Sequence, residues 1–308
     1  MVRQGGARAM PTNAMDAASL AIDKYPRTPH LVGSRLQDGD DAAAQVPYSA
    51  IVGRNIVVEE KMDGANSGVS FTAGLDLLCQ SRGHYLSGGP REKHFRPLLQ
   101  WADAHFDALA DALQDRFLMY GEWMYAKHTV FYDRLVHLFL EFDVFDRSTQ
   151  AFLSTPARRE LLRDAPVVSV PVLYEGPAPR DFRDLARMIQ PSLAKSPRWR
   201  ETLCREAQQR GLDAARVLEQ TEDSDLAEGL YIKLEEGDET VGRLKLVRED
   251  FIQTIVENTS HWHSRPIVPN GMAAGVDLFA PRPTVAWEDL RGGPAPSRAS
   301  SERVRGAA

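Results

Sequence analysis

Cysteine is nearly absent: Cys79 and Cys204 are the only two in 308 residues. That count excludes a disulfide framework and a thiolate-built structural zinc site. A reduced intracellular compartment is the simple reading. Long apolar runs are missing too. No stretch approaches the roughly 20 residues that a membrane-spanning helix needs, and the opening residues lack the apolar core of a signal peptide. A cytoplasmic protein without a membrane partner is therefore expected. Neither GxGxxG nor GxxxxGK[ST] occurs, so a Rossmann dinucleotide fold and a P-loop are rejected. A surplus of positive charge is also lacking, with 37 Lys and Arg against 43 Asp and Glu, a net charge of -6. This argues against an architectural nucleic-acid binder, but not against an enzyme that gathers its cations in one groove.

What is present is ordinary globular composition, 43% hydrophobic and 26% charged. Residues 1–20 are small, polar and rich in Gly and Ala, and a disordered start is expected. Residues 281–308 mix Pro, Gly, Ser, Arg and Ala without periodicity and read as a flexible tail. Between them, residues 21–280 form one domain with no internal repeat. Strand patterns fall on Asn55–Met62, Gly68–Phe71, Leu75–Ser81, Phe117–Trp123 and Leu135–Phe145. Leu230–Leu234 and Val241–Val247 flank EEGDE, which reads as a hairpin turn. The spacing of Leu98, Trp101, Ala102, His105, Leu109 and Leu113 predicts an amphipathic helix over Lys93–Leu113. A second helix is expected over Pro197–Arg210, with shorter ones at Pro156–Arg163, Ala214–Gln220 and Asp250–Glu257. Strands, a mainly helical block at 155–226 and a return to strands give an α+β domain with a helical insertion, not a regular βαβ alternation.

The chemistry centres on VVEEKMDGANSGVSF, Val57–Phe71, where Lys61 follows an apolar run between two glutamates and an aspartate. A solvated turn lysine is the plain reading. A nucleophile is the alternative. A free lysine titrates near ~10.4 and carries a proton at neutral pH. Adjacent glutamates push that value up, so attack would require cations or a metal to converge on Lys61. Arg82, Lys233, Arg243, Lys245 and Arg248 lie in or beside expected strands and are the candidates.

KxDG alone is a weak signal. An ordered series follows it: Lys61-Met-Asp63-Gly64-Ala-Asn66, Ser81-Arg82-Gly83, Gly121-Glu122-Trp123, EFDVF at Glu141–Phe145, Glu228-Gly229-Leu-Tyr-Ile-Lys233, and Arg243-Leu-Lys245. This series, over Asn55 to Arg248, resembles the covalent nucleotidyltransferase superfamily of polynucleotide ligases and capping enzymes. It is most similar to the ATP-dependent RNA ligases that include the phage double-strand-sealing type. The resemblance implies two antiparallel sheets flanked by helices with a nucleotide cleft between them. It also implies a lysyl–AMP intermediate, AMP transfer to a 5′-phosphate end, and attack by a 3′-hydroxyl.

Carried over residue by residue, Lys61 matches the nucleophile. Glu60 would face the adenine edge or shape the pocket, and Gly64 would permit a close backbone approach or a positive φ. Asn66 would sit near the phosphates, Arg82 on ribose or the α-phosphate, and Glu122 on the ribose hydroxyls. Phe142 matches the aromatic that stacks on adenine, with Phe145 as its fallback. Glu228 matches the carboxylate that supports Mg²⁺ or Mn²⁺, and Lys233 and Lys245 match cations on the α-phosphate. Arg243 stands where the family usually has lysine, which leaves it a structural or substrate role and Lys245 the catalytic one. Asp63 stands where phage-type RNA ligases often carry histidine, which keeps nicked DNA or an RNA/DNA hybrid open as the substrate beside RNA. A non-sealing nucleotide-binding module is the third alternative.

Other features stay open. Arg158, Arg159, Arg163, Lys195, Arg198, Arg200 and Arg205 fit a nucleic-acid groove and a solvated helix face equally. Lys24–His30, broken by two prolines, fits a cover over the nucleotide or plain packing. His261-Trp262-His263 lacks a further ligand at metal spacing. Residues 249–280 are too few for an appended OB-fold. That favours an RNA ligase with a minimal extension, and is compatible with a protein partner that grips the substrate.

Overall fold

Residues 56–60 alternate between two environments, and that alternation organises the molecule. In the computed structural model, which describes residues 21–36, 40–251 and 266–291, Ile56 and Val58 face an apolar core while Val57 and Glu59 face the opposite way. Ten strands are present among the described residues: β1 (Asn55–Glu60), β2 (Ala65–Phe71), β3 (Leu77–Ser81), β4 (Phe117–Trp123), β5 (Phe139–Asp146), β6 (Ala151–Leu153), β7 (Val168–Ser169), β8 (Val172–Pro177), β9 (Gly229–Glu236) and β10 (Glu239–Val247). Six α-helices accompany them: α1 (Arg96–Ala104), α2 (Phe106–Leu113), α3 (Thr155–Leu161), α4 (Phe182–Ala186), α5 (Trp199–Gln209) and α6 (Ala214–Glu219).

The strand order is β3-β2-β4-β5-β6-β10-β9-β1-β8, antiparallel throughout, with β7 added parallel to β5. One leaf runs from β3 to β5 and the other from β10 to β8. In the strand order the three-residue β6 joins them, through Phe145↔Phe152 on one side and Thr240↔Phe152 on the other. The β7–β8 segment also reaches both leaves, β7 pairing with β5 and β8 with β1. The two sheets expected from the sequence are thus continuous in hydrogen bonding along one edge. The β9–β10 hairpin turns at Gly237, whose φ of 59° is the left-handed geometry that the EEGDE turn needs.

Each leaf has its own core. The first packs Val69, Phe71, Cys79 and Phe139 against Leu98, Trp101, Leu109 and Leu113 of α1 and α2. The second packs Ile56, Val58, Leu230, Ile232, Leu244 and Leu246 over the segment around α4. The single helix expected over Lys93–Leu113 is divided into a 3-10 turn at Pro90–Phe95, then α1 and α2. The break falls at His105, yet the apolar stripe continues across it. Of the helix expected over Asp250–Glu257, residues 252–257 lie outside the described residues, as does His261–His263.

The block at 155–226 is less helical than expected, since it contains β7 and β8. Val-rich residues interrupted by Pro171 form short edge strands there, and β8 pairs with β1 from Asn55↔Pro177 to Glu59↔Val172. Residues 281–291, read from sequence as tail, lie against the domain. Trp287 is buried and its indole N–H donates to the Ser169 carbonyl at 2.8 Å.

Between the leaves lies a cluster of charges removed from water. Arg158 of α3 bridges Glu59 Oε1 at 2.5 Å and Glu141 Oε1 at 2.7 Å. Lys233 of β9 contacts Glu59 and Asp143, each at 3.0 Å. All five groups are essentially inaccessible. Burial first, with the charges of Asp143 and Glu141, raises the Glu59 carboxyl above its ordinary value, and Lys233 and Arg158 only partly offset it. Removing one partner from such a cluster leaves uncompensated buried charge. Arg158→Ala is accordingly expected to destabilise the fold by about 3–5 kcal/mol. The loss should be smaller near pH ~5 than near pH ~8, because the stranded Glu59 ionises as pH rises through its elevated value. Urea titrations at the two pH values check this; equal losses at both would contradict it.

Candidate functional site

Lys61 extends β1 by one residue, its backbone N–H donating to the Gly229 carbonyl of β9 at 3.0 Å. Its ammonium meets Glu228 Oε2 at 2.7 Å, with the lysine about a quarter exposed and the glutamate buried. The chain then turns through Asp63 and Gly64 into β2. Asp63 Oδ2 accepts the Val130 N–H at 2.7 Å, and the Asp63 N–H donates to the Tyr132 hydroxyl at 2.9 Å. The Gly64 N–H donates to Glu122 Oε1 at 3.1 Å. A Cβ on Gly64 would lie 2.8 Å from the Trp123 carbonyl oxygen, so this glycine serves close approach and not a positive φ. Gly229 is tighter still, with space for no Cβ against the Leu246 carbonyl at 2.1 Å.

Strand register gathers the remaining positions. Asn66 of β2 pairs with Glu122 of β4. Across the second leaf, Val57 pairs with Lys233 and Lys233 with Arg243, while Glu59 pairs with Tyr231 and Tyr231 with Lys245. One face therefore carries Glu59, Lys233, Tyr231, Arg243 and Lys245, and the other carries the aliphatic core. Arg82 follows β3 directly and is exposed. Phe142 is the extra residue of a bulge: Tyr120 pairs with Asp143 and Gly121 with Glu141, leaving Phe142 unopposed. Such a bulge re-aims a side chain. The half-buried Phe142 ring meets Tyr25 edge-on at 5.1 Å.

The electrostatics differ from the sequence expectation. Convergent cations were to strip the proton from Lys61; carboxylates dominate instead. Burial would lower the lysine, but Glu228, then Glu122 and Asp63, outweigh it and hold Lys61 above its ordinary range. Burial pushes Glu228 up to about 7, although Lys61 pulls the other way. Among the five candidate cations, Lys245 is the one coupled to Lys61: burial first and then the Lys61 charge lower its value.

The other cations are engaged elsewhere. Lys233 is fully buried and gives its donors to Glu59, Asp143 and the Phe142 carbonyl, so the phosphate contact expected of it finds no free donor. Arg243 lies 3.6 Å over the Phe152 ring, 5.2 Å over Tyr25, and 3.7 Å from Asp143. Arg248 pairs with Glu222 at 2.5 Å and Asp250 at 2.7 Å. Glu60 departs as well. Alternation sends it to the face opposite Glu59, where it is buried near Ser192 and Leu193, and burial raises it to about 7.

Sequence reasoning missed three residues beside Lys245. The backbone of residues 29–31 pairs with β10 there: the Lys245 N–H donates to Pro29 at 2.9 Å and the Leu31 N–H to Lys245 at 3.0 Å. This places His30 Nε2 at 2.9 Å from Asp40 Oδ2, with Lys245 Nζ at 3.3 Å from Asp40 Oδ1. Ser34 Oγ contacts His30 Nδ1 at 2.6 Å and accepts the Val247 N–H at 2.9 Å. Nearby, Tyr25 hydrogen bonds to both Asp143 and Tyr231 in the gap between the leaves. The proline-broken run Lys24–His30 was the available signal, but no periodicity tells which strand such a segment joins.

A divalent cation would find hard oxygen donors at Glu228, with Glu122 and Asp63 close enough to act on the same amine. Among the described residues no group of three or more His, Cys, Asp or Glu could hold a metal by itself. Sparse ligation fits Mg²⁺, which binds through one or two carboxylates together with substrate phosphates. No described helix is long and apolar enough to cross a membrane.

A family model described as RNA ligase matches residues 54–247. No curated protein matches the chain. Among solved structures, a Naegleria gruberi RNA ligase variant with ATP and Mn is similar at 18% identity and a TM-score of 0.42, over 65% of this chain and 51% of that one. A second Naegleria gruberi RNA ligase variant, with AMP and Mn, is similar at 15% identity and a TM-score of 0.42, over 73% and 62%. The chain thus spans about half to three fifths of these proteins.

The charge state of Lys61 is open to measurement. Reductive methylation near pH ~8 should modify Lys61 more slowly than exposed Lys24 and Lys93, because its proton is held above the ordinary lysine range. Glu228→Gln should accelerate labelling of Lys61 severalfold while leaving the exposed lysines unchanged. Unaltered labelling of Lys61 in that variant would place its proton under some other control.

Proposed function

This chain belongs to the RNA ligase family, and we propose that it is an ATP-dependent RNA ligase joining 5′-phosphate to 3′-hydroxyl ends through a lysyl–AMP intermediate. The observation that carries the reading is the amine itself. Lys61 is held at a strand end, a quarter exposed, within reach of Glu228, Glu122 and Lys245, which come from three other segments of the chain.

In the proposed first step the neutral Lys61 Nζ attacks the α-phosphorus of ATP. An N–P bond forms, the Pα–O bond to pyrophosphate breaks, and the lysine proton is released. In the second, AMP passes to a 5′-phosphate and regenerates the amine. In the third, a 3′-hydroxyl attacks that activated end and AMP departs. Phosphoryl transfer of this kind depends chiefly on positioning and charge neutralisation. Glu228 would hold the divalent cation, which supplies neutralisation of carboxylate and phosphate charge when bound. Were the Glu228 charge so engaged, Lys61 would keep only Glu122 and Asp63 to raise its value.

Lys245 would meet the α-phosphate, Glu122 the ribose hydroxyls, Asn66 the phosphates, and Arg82 ribose or the α-phosphate. Phe142 on its bulge would stack on adenine. Glu60, turned to the other face, would shape the pocket from behind. Lys233 and Arg243 would act by holding the leaves together. RNA is preferred over DNA because the Asp63 carboxylate, the feature that kept DNA open, is committed to the Val130 N–H and needs no substrate to explain it.

Incubation with radiolabelled ATP and magnesium should place acid-labile label on the wild-type protein and none on Lys61→Ala. Label on Lys61→Ala would assign the nucleophile elsewhere, and none on wild type would leave a nucleotide-binding module. Nicked RNA offered to the adenylylated protein should be sealed faster than nicked DNA. A second expectation concerns Lys245, which is faced by Asp40, His30, Lys61 and Glu228. Asp40 raises its value against burial. Asp40→Asn should therefore let Lys245 discharge at lower pH and move the alkaline limb of the adenylylation profile downward. An unmoved limb would remove Lys245 from that limb.

A further inference from the structure

Several arginines of the 155–226 block already have carboxylate partners. Arg159 pairs with Glu175 at 2.7 Å, Arg198 with Glu201 at 2.5 Å, and Arg200 with Asp223 at 2.5 Å and Asp225 at 3.1 Å. Arg158 is buried between leaves. A face whose cations already have carboxylate partners has little net field to offer a polyanion. The segment from Arg91 to Arg96 is built the other way. It holds three Lys and Arg residues, Arg91, Lys93 and Arg96, all exposed, and one acid, Glu92.

Glu92 is turned inward. Its Oε2 accepts the backbone N–H groups of Ser87, Gly88 and Gly89 at 2.9, 2.7 and 3.1 Å, and its Oε1 lies 3.0 Å from His84 Nε2. The one negative charge is thus consumed in folding the loop. Among the described residues Arg91, Lys93 and Arg96 make no ion pair. In a chain of net charge -6 this is an unusual local concentration of unspent positive charge.

Its position is fixed by two links to the Lys61 turn. Ala65, four residues after Lys61, pairs with Trp123, whose indole N–H donates to the His94 carbonyl at 2.6 Å. Ser67 pairs with Ser81, shortly before His84, which contacts Glu92. The basic segment therefore rims the first leaf at the end where Lys61 opens.

We propose that Arg91, Lys93 and Arg96 form the docking surface for the phosphodiester backbone of the polynucleotide. This rests on the ligase reading and locates its second substrate. The surface reads backbone charge and not base identity, since these groups are exposed cations on a loop and a helix start with no aromatic residue exposed among them.

The test uses the full chain with Arg91, Lys93 and Arg96 changed together to serine, and a 5′-phosphorylated RNA oligonucleotide as probe. Self-adenylylation by ATP should stay within about twofold of wild type. RNA binding should weaken by about tenfold or more at low salt, and the slope of log K against log salt should fall by about 2 for three lost contacts to a single strand. A control with Arg198 and Arg205 changed to serine removes charge from the helical block and should bind RNA as wild type does. Normal adenylylation with unchanged RNA binding in the triple variant would overturn the docking surface and leave the ligase reading standing. Equal weakening in the control would overturn it as well, by showing that net charge alone matters. Absence of label on wild-type protein would remove the ligase reading itself.

Discussion

A set of buried charges between two sheets is the constraint on which this structure turns. Glu59, Glu141, Asp143, Arg158 and Lys233 come from β1, β5, α3 and β9, and each is sealed from water. The β6 connection is three residues long and cannot by itself fix the angle between leaves. The ionic cluster can, because each carboxylate must find its cation within hydrogen-bond distance or remain buried and unpaired. Burial would raise Asp143, yet Lys233 and Arg243 hold it below the ordinary carboxylate range. The hydroxyl of Tyr25 adds a further donor to the same group. Specific geometry between the leaves is what these expensive groups supply.

The same strands that carry the cluster carry the candidate site, and the pleat separates the two kinds of work. On β9, Leu230, Ile232 and Leu234 enter the second core, while Tyr231 and Lys233 face the gap. On β10, Leu244 and Leu246 enter that core, while Arg243 and Lys245 face the gap. A one-residue slip of either strand would put lysine in the core and leucine in the gap, so register is enforced from both faces. Gly229, with the Leu246 carbonyl pressed against it, marks the end of the ladder where Glu228 and Lys61 meet. Rigid support of that meeting point follows from its place at the end of paired strands, not on a free loop.

Much of this was legible in the sequence because strands and motifs are local. The EEGDE hairpin, the strand Phe117–Trp123 and the ordered motifs from Lys61 to Lys245 are visible in residue type and spacing. What alternation could not show is which leaf a strand joins, and hence that Lys233 and Arg158 meet over Glu59. A lysine in a strand reads the same whether it meets phosphate or a buried glutamate. The strands at Val168–Ser169 and Val172–Pro177 were hidden by proline and by helical neighbours. The charge on Lys61 was misjudged for a related reason. Cations were counted by their presence in the sequence, whereas Arg243 and Arg248 are engaged by rings and carboxylates that only the fold brings to them.

The N-terminal segment shows how far apart the parts of one site can lie. Pro29 and Leu31 pair with Lys245 across more than two hundred residues, and Asp40 completes the contact. Closing so long a loop costs conformational entropy before any contact repays it. That cost is offset in the native state by the seat that β10 takes on β9 over the second core. Tyr25 carries the same cost, since its partners Asp143 and Tyr231 stand on different leaves. Lys245 thus takes its carboxylate from a segment that sequence spacing does not place beside it. The balance of charge around Lys61 is in this sense a property of the tertiary fold and not of any one strand.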